Sequence, residues 1–260
     1  MTGDDLKSLK KWFSDYTGSF LGSNEDDNRN QCLKAEHTKN VCANIREIAK
    51  SLPLPFEKII LAETIALFHD IGRFQQYKKF RTFQDGKSIN HGVLGARTLE
   101  EENVLNHLAE AEKHLIISAV KFHNVFQIPD FRDEELLLFL KLIRDADKLD
   151  ILRVFINFYE SPVEERASAT AFRLPDTPEY SKEIIERIYK KQKVSYAYLR
   201  TINDFKLMNL SWGCAMNYKA SYRLLKERDC LNRIARQLPA TADIAGAVAL
   251  VQKFVEEQLR

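Results

Sequence analysis

Apolar residues recur three and four positions apart along nearly the whole 260-residue chain, and no run of β-branched residues alternates with polar ones. That period stacks apolar side chains on one face of a helix, and the two-residue period of a half-buried strand is missing. The pattern predicts an all-α fold. Candidate helices cover residues 4–16, 29–51, 56–70, 91–102, 110–123 and 133–158, with further ones over 181–210, 211–227 and 241–259. Pro53 and Pro55 separate the second helix from the third, because proline lacks an amide donor and restricts the residue before it. The stretch from Gly72 to Asn90 reads as a long connection carrying Arg73, Lys78, Lys79, Arg81 and Lys87 among Phe74, Tyr77, Phe80 and Phe83. Residues 161–180, with Pro162, Pro175 and Pro178, read as an irregular connection. It would join a helical core over 1–160 to a C-terminal helical segment over 181–260 packed on that core.

Composition narrows the class further. With 45% hydrophobic residues the chain can bury a full core. Lys and Arg (39) nearly balance Asp and Glu (37), so the net charge of +2 gives no pull toward nucleic acid or a membrane surface. The longest apolar stretches, such as Leu136 to Leu140, fall far short of the roughly 20 residues that span a bilayer. Cys32, Cys42, Cys214 and Cys230 form no CxxC pair, and the start of the chain does not read as a secretory signal. These features predict a soluble protein of the reducing cytoplasm.

Against that background the ionisable residues on apolar stripes stand out. His37 leads into Val41, Ile45 and Ile48; His69 follows Ala62, Ile65 and Ala66; His123 follows Ile116, Ala119 and Val120; Asp147 completes Leu136, Leu140 and Ile143. One histidine on such a stripe is usually a satisfied core residue. Four helices each burying an ionisable group is a different matter, because each group needs a partner and one shared cation would serve all of them. His107 and His114 share their faces with polar residues and read as solvated. The adjacent pair His69 and Asp70, with His37, His91, His123 and Asp147 around it, is a mixture of imidazoles and carboxylates. It suits borderline transition metals better than calcium or magnesium alone.

These elements resemble the HD superfamily of metal-dependent phosphohydrolases, whose signature is a lone histidine, a His-Asp pair and a later aspartate. The matching residues are His37, the run Leu67-Phe68-His69-Asp70-Ile71-Gly72, and the run Asp145-Ala146-Asp147-Lys148-Leu149. The pattern of the last motif selects Asp147 as ligand, which leaves Asp145 and Asp150 as outer or surface residues. Asn90-His91-Gly92 and Phe122-His123-Asn124 are similar to the two extra histidines of the binuclear branch, although the Gly-Tyr-Pro element of its cyclic-dinucleotide phosphodiesterases is missing. The resemblance covers roughly Arg29 to Leu152 and implies an HD-domain helical bundle with additional C-terminal helices.

The same resemblance implies that His37, His69, Asp70 and Asp147 hold one divalent metal. His91 and His123 would hold a second, with the Asp70 carboxylate between the two. Iron, manganese, nickel and zinc are the candidate metals, with magnesium a further one. The implied activity is hydrolysis of a small phosphoester, a nucleotide among the candidates, by metal-activated hydroxide. Arg73, four positions after His69, and Lys148, beside Asp147, are candidate catalytic and substrate-binding residues, with Lys78 and Arg81 of the basic aromatic stretch as further substrate contacts. Two other readings stay open: a diiron oxygenase on the same scaffold, and a non-catalytic nucleotide-binding regulatory domain. The amphipathic C-terminal helices would cap the core or form a homodimer contact.

Overall fold

A computed structural model describes residues 1–162 and 174–260, and the described residues contain helices and no strands. They divide into two compact units, with the division between Asp150 and Ile151. Part of the expected 161–180 connection lies outside the described residues; 174–180 within it is irregular.

The first unit begins with α1 (Gly3–Gly18), opened by a capping box in which the Thr2 hydroxyl accepts from the Asp5 amide and the Asp5 carboxylate accepts from the Thr2 amide. Its buried residues, Leu6, Leu9 and Phe13, form one stripe. Helix α2 (Glu25–Lys50) is capped by Asn24 and buries the stripe that holds His37, Val41, Ile45 and Ile48. Helix α3 (Phe56–Phe68) is buried at every position from Ile60 to Phe68 because it packs on α1, on α2 and on α6 (Glu110–Phe122). It is the centre of the unit, so the groups at its end are placed in the interior. The chain then turns over His69–Ile71 and re-enters a helix, α4 (Gly72–Phe80), which packs on α2 and α5 (His91–Glu101).

That helix corrects the long connection expected from Gly72 to Asn90: only residues 81–90, with a 3-10 turn over Asp85–Lys87, are non-helical or short-helical. Gly72 does not break the chain. A side chain there would lie 2.6 Å from the Gly95 amide nitrogen, so glycine is present because α4 and α5 meet backbone to backbone. The long helix α7 (Glu134–Glu160) starts in the first unit and continues into the second.

In the second unit, the single helix expected over 181–210 is two. Helix α8 (Lys182–Tyr189) ends near Lys191, whose φ of 54° lies in the left-handed region, and α9 (Ile202–Ser211) follows. Asp204 joins them: its buried carboxylate accepts from the Ser181, Arg200 and Thr201 amides and from the Ser181 hydroxyl. Helices α10 (Lys219–Glu227) and α11 (Cys230–Ala235) come next. Helix α12 (Ala242–Leu259) then packs its buried Ile244, Ala247, Val251 and Val255 face on α8 to α11. No helix among the described residues is long and apolar enough to cross a membrane.

Candidate metal centre

All six predicted ligands come together within the first unit. His37 projects from α2; His69 and Asp70 sit in the turn after α3; His91 is the first residue of α5; His123 directly follows α6; Asp147 lies on α7. They form two buried triads, His37–His69–Asp70 and Asp70–His91–His123, which share Asp70. Around the first triad, Asp147 Oδ1 is 3.1 Å from His37 Nε2 and 3.7 Å from His69 Nε2, while Asp70 Oδ2 is 3.6 and 3.8 Å from the same nitrogens. Around the second, Asp70 Oδ1 is 3.2 Å from His91 Nε2 and 3.9 Å from His123 Nε2. The two oxygens of one carboxylate therefore face two different histidine pairs. His107 and His114 are exposed, as their sequence neighbours indicate.

Every imidazole is tied from behind. His69 and His123 stand just past helix ends, where carbonyls lack partners, and their Nδ1 atoms lie 2.7 Å from the Ala66 and Val120 carbonyl oxygens. His37 Nδ1 is 2.7 Å from the fully buried Asp150 carboxylate, and His91 Nδ1 is 2.8 Å from Asp85. Carbonyl and carboxylate oxygens only accept, so each Nδ1 is a donor and each Nε2 is the atom turned inward, with a free lone pair wherever the ring is neutral. The inward nitrogens then meet, His37 to His69 at 3.3 Å and His91 to His123 at 3.1 Å.

Between neutral rings such contacts set lone pair against lone pair. Metal–nitrogen bonds of about 2.1 Å space neighbouring donors about 3.0 to 3.4 Å apart, so a cation fits this arrangement. Burial, with two further imidazoles close by, pushes the His123 imidazole down to about 3, and burial with Arg73 also lowers His91, so that pair is in the neutral, ligating form. His37 differs. Burial and Lys34 press it down, but hydrogen bonds to Asp147 and Asp150 outweigh them and raise it to about 9. Asp70 and Asp147 are held well below the usual carboxylate range. Burial opposes this, yet Lys34 and His69 prevail at Asp70, and the neighbouring His37 and His69 prevail at Asp147.

The other candidate residues are placed less uniformly. Arg73 lies beside the second triad, with Nε 3.5 Å from Asp70 Oδ1, and its Nη1 donates to Gln76, to the Phe83 carbonyl and to Asp85. Lys148 is half-buried on α7. Lys78 and Arg81 are exposed, the first over the Phe20 ring and the second paired with Asp27, partners that belong to neither triad.

Three contributors escaped the sequence reading. Lys34 donates to Asp70 Oδ2 at 2.8 Å, and Asp85 accepts from His91, Arg73, Gln76 and Asn124. Arg144 donates to the His123 and Val125 carbonyls, fixing the turn that carries His123. Lys34 had a legible signal, standing one helical turn before His37 on the same face. Asp85 had none, since its role depends on how residues 81–90 fold back.

A family model described as HD domain matches residues 35–152, and that span encloses all six candidate ligands. No curated protein and no solved structure matches the chain. The chain thus carries an HD domain, followed by C-terminal helices.

Proposed function

We propose that the HD domain is a metal-dependent phosphohydrolase acting on a small phosphoester, with a nucleotide as the first substrate class to try. The observation that carries this reading is the pair of buried triads sharing Asp70. Asp70 Oδ2, His37, His69 and Asp147 form one donor set, and Asp70 Oδ1, His91 and His123 the other. The imidazole-rich donors favour manganese, iron, nickel or zinc. Two such cations would supply hydroxide at neutral pH, polarise a phosphoryl oxygen and neutralise the leaving oxygen.

The remaining work falls to the chain itself. Asp150 and Asp85 hold His37 and His91 in the required tautomer, and the Ala66 and Val120 carbonyls do the same for His69 and His123. Arg73 keeps a positive charge between Asp70 and Asp85. Asp147, at 21% side-chain exposure, is the one ligand that solvent reaches appreciably, so substrate enters over it with Lys148 alongside on the same helix.

The test is a panel of phosphomonoesters, phosphodiesters and nucleotides, run on protein purified without oxygen and with its metals quantified. Release of phosphate or nucleoside monophosphate supports the reading. Oxygen uptake dependent on substrate, with no phosphoester cleaved, replaces it by oxidative chemistry on the same ligands.

A further inference from the structure

We infer that Lys34, one residue before the span matched as HD domain, anchors the substrate's phosphoryl group at the mouth of the metal centre. The inference rests on the phosphohydrolase reading and adds to it the residue that receives the anion. It begins from exposure. The side chains of His37, His69, Asp70, His91 and His123 are each 5% exposed or less, so an incoming ligand does not approach through them. Solvent reaches the cluster at Asp85 (30%), Asp147 (21%), Lys34 (17%) and Arg73 (14%). Two of these four groups are cations, and an incoming anion is received by them rather than by the carboxylates.

The two cations are differently committed. Arg73 Nη1 is engaged by Asp85, Gln76 and the Phe83 carbonyl, and its Nε is buried facing Asp70 Oδ1 at 3.5 Å without a hydrogen bond, so the guanidinium is fixed as a strut between two carboxylates. Lys34 has three N–H donors on a flexible stem. Among the described residues it spends one on Asp70 Oδ2 and lies 5.3 Å from the centre of the Phe83 ring. An ammonium held by one carboxylate and one ring face keeps a donor for an anion, and charge-assisted hydrogen bonds to phosphate oxygens are among the strong ones.

Its position matches that task. Lys34 stands on the face of α2 that carries His37 and bonds the Asp70 oxygen shared with the first triad. A phosphoryl oxygen on this ammonium is therefore next to the donors of the first metal. The basic residues that the sequence suggested for this work, Lys78 and Arg81, are engaged with Phe20 and Asp27 instead.

The experiment measures binding of inorganic phosphate, by calorimetry, to metal-quantified wild type, Lys34→Gln and Lys34→Arg. One lost charge-assisted hydrogen bond predicts a loss of about ten- to a hundredfold in phosphate affinity for Lys34→Gln, with metal content and thermal midpoint unchanged. Lys34→Arg recovers most of that loss. Equal phosphate affinity in wild type and Lys34→Gln overturns the inference, as does a metal-loaded wild type that binds no phosphate. Loss of metal from both variants overturns it too, because Lys34 would then act by holding Asp70. Absence of hydrolysis in the substrate panel, with phosphate still bound through Lys34, refutes the phosphohydrolase reading while leaving the anion site standing.

Discussion

The replacement Gly72→Ala puts the geometry of the second triad under test without touching a ligand. Gly72 opens α4, and the methyl group it lacks would lie 2.6 Å from the Gly95 amide nitrogen and closer still to the carbonyl oxygen of His91. Ordinary contact begins at 3.4 Å, so α5 must retreat from α4 by at least about 0.8 Å, and both obstructing atoms are backbone that no rotamer change removes. Overpacking of this kind costs about 1–3 kcal/mol, seen as a fall of roughly 2–10 °C in the thermal midpoint. The consequence for the site is sharper. His91 is the first residue of α5, and its Nε2 now lies 3.2 Å from Asp70 Oδ1. A shift of about 0.8 Å is several times the roughly 0.2 Å by which metal–donor distances vary, so His91 stops serving as a ligand.

The first triad is carried by α2 and by the turn after α3, with Asp147 beside it on α7, and keeps its donors. Elemental analysis of protein dialysed against the native metal should therefore show bound metal falling from two per chain toward one, with hydrolysis reduced about a hundredfold, as expected for a misplacement near 1 Å. Gly86→Ala is the control, because nothing lies within 4 Å of a side chain at that position. A Gly72→Ala protein that keeps the wild-type metal content and turnover would show that this backbone crossing does not set the position of His91, and the argument would fail.

Three other outcomes follow from the same geometry. Asp70→Ala removes the oxygens that face both histidine pairs, so it should abolish phosphoester cleavage and strip most metal at either site; normal turnover in this variant would refute the shared-carboxylate arrangement. Asp85→Asn leaves His91 without its carboxylate acceptor and should weaken metal binding at the second triad by about 10- to 100-fold while sparing the first, read by competition with a chelating dye. His37, raised to about 9, carries a proton at pH 7 that must leave before the ring can ligate. Metal uptake should then release about one proton from it at pH 7 and fewer toward pH 9, counted by calorimetry in buffers of different ionisation enthalpy. In the metal-free protein the same raised value contributes stability that is complete below the unfolded-state value near 6.5 and is lost as pH rises through 9. Metal binding without proton release at pH 7 would exclude His37 as a ligand.

Much of the first unit was legible because a buried ligand on a helix advertises itself by period. His37, His69, His123 and Asp147 each continue an apolar stripe, and each lies in the cluster. His91 offers no such signal: it is the first residue of its helix, with no turn before it to read, and only the Asn-His-Gly resemblance marked it. Helix α4 was hidden for a related reason. Its buried stripe, Phe74 and Tyr77 with Gln76, is short and mixed, and Gly72 reads as a breaker until its contact with α5 is known. The break between α8 and α9 carries neither glycine nor proline; Lys191 makes it in a left-handed conformation at the helix end, where its amide donates to the Ile188 carbonyl and the Gln192 amide to the Arg187 carbonyl.

What the sequence could least convey is how the two triads are supported, and that support follows one logic. In each triad one histidine stands just past a helix end and is held by the carbonyl three residues back, Ala66 for His69 and Val120 for His123. The other is held by a carboxylate from elsewhere in the chain, Asp150 for His37 and Asp85 for His91. The local anchor follows from helix geometry and survives any neighbour. The distant anchor exists only when α7 lies against α2, and residues 81–90 against α5. Each candidate metal site therefore depends on a tertiary contact: assembly of α2 with α7 completes the first, and closure of the α4–α5 connection completes the second. The two triads share Asp70, in the turn that follows the most buried helix of the unit, and the His69 and His123 rings also meet edge-on across them with centroids 5.3 Å apart. Loss of the Asp70 side chain alone removes a donor from both.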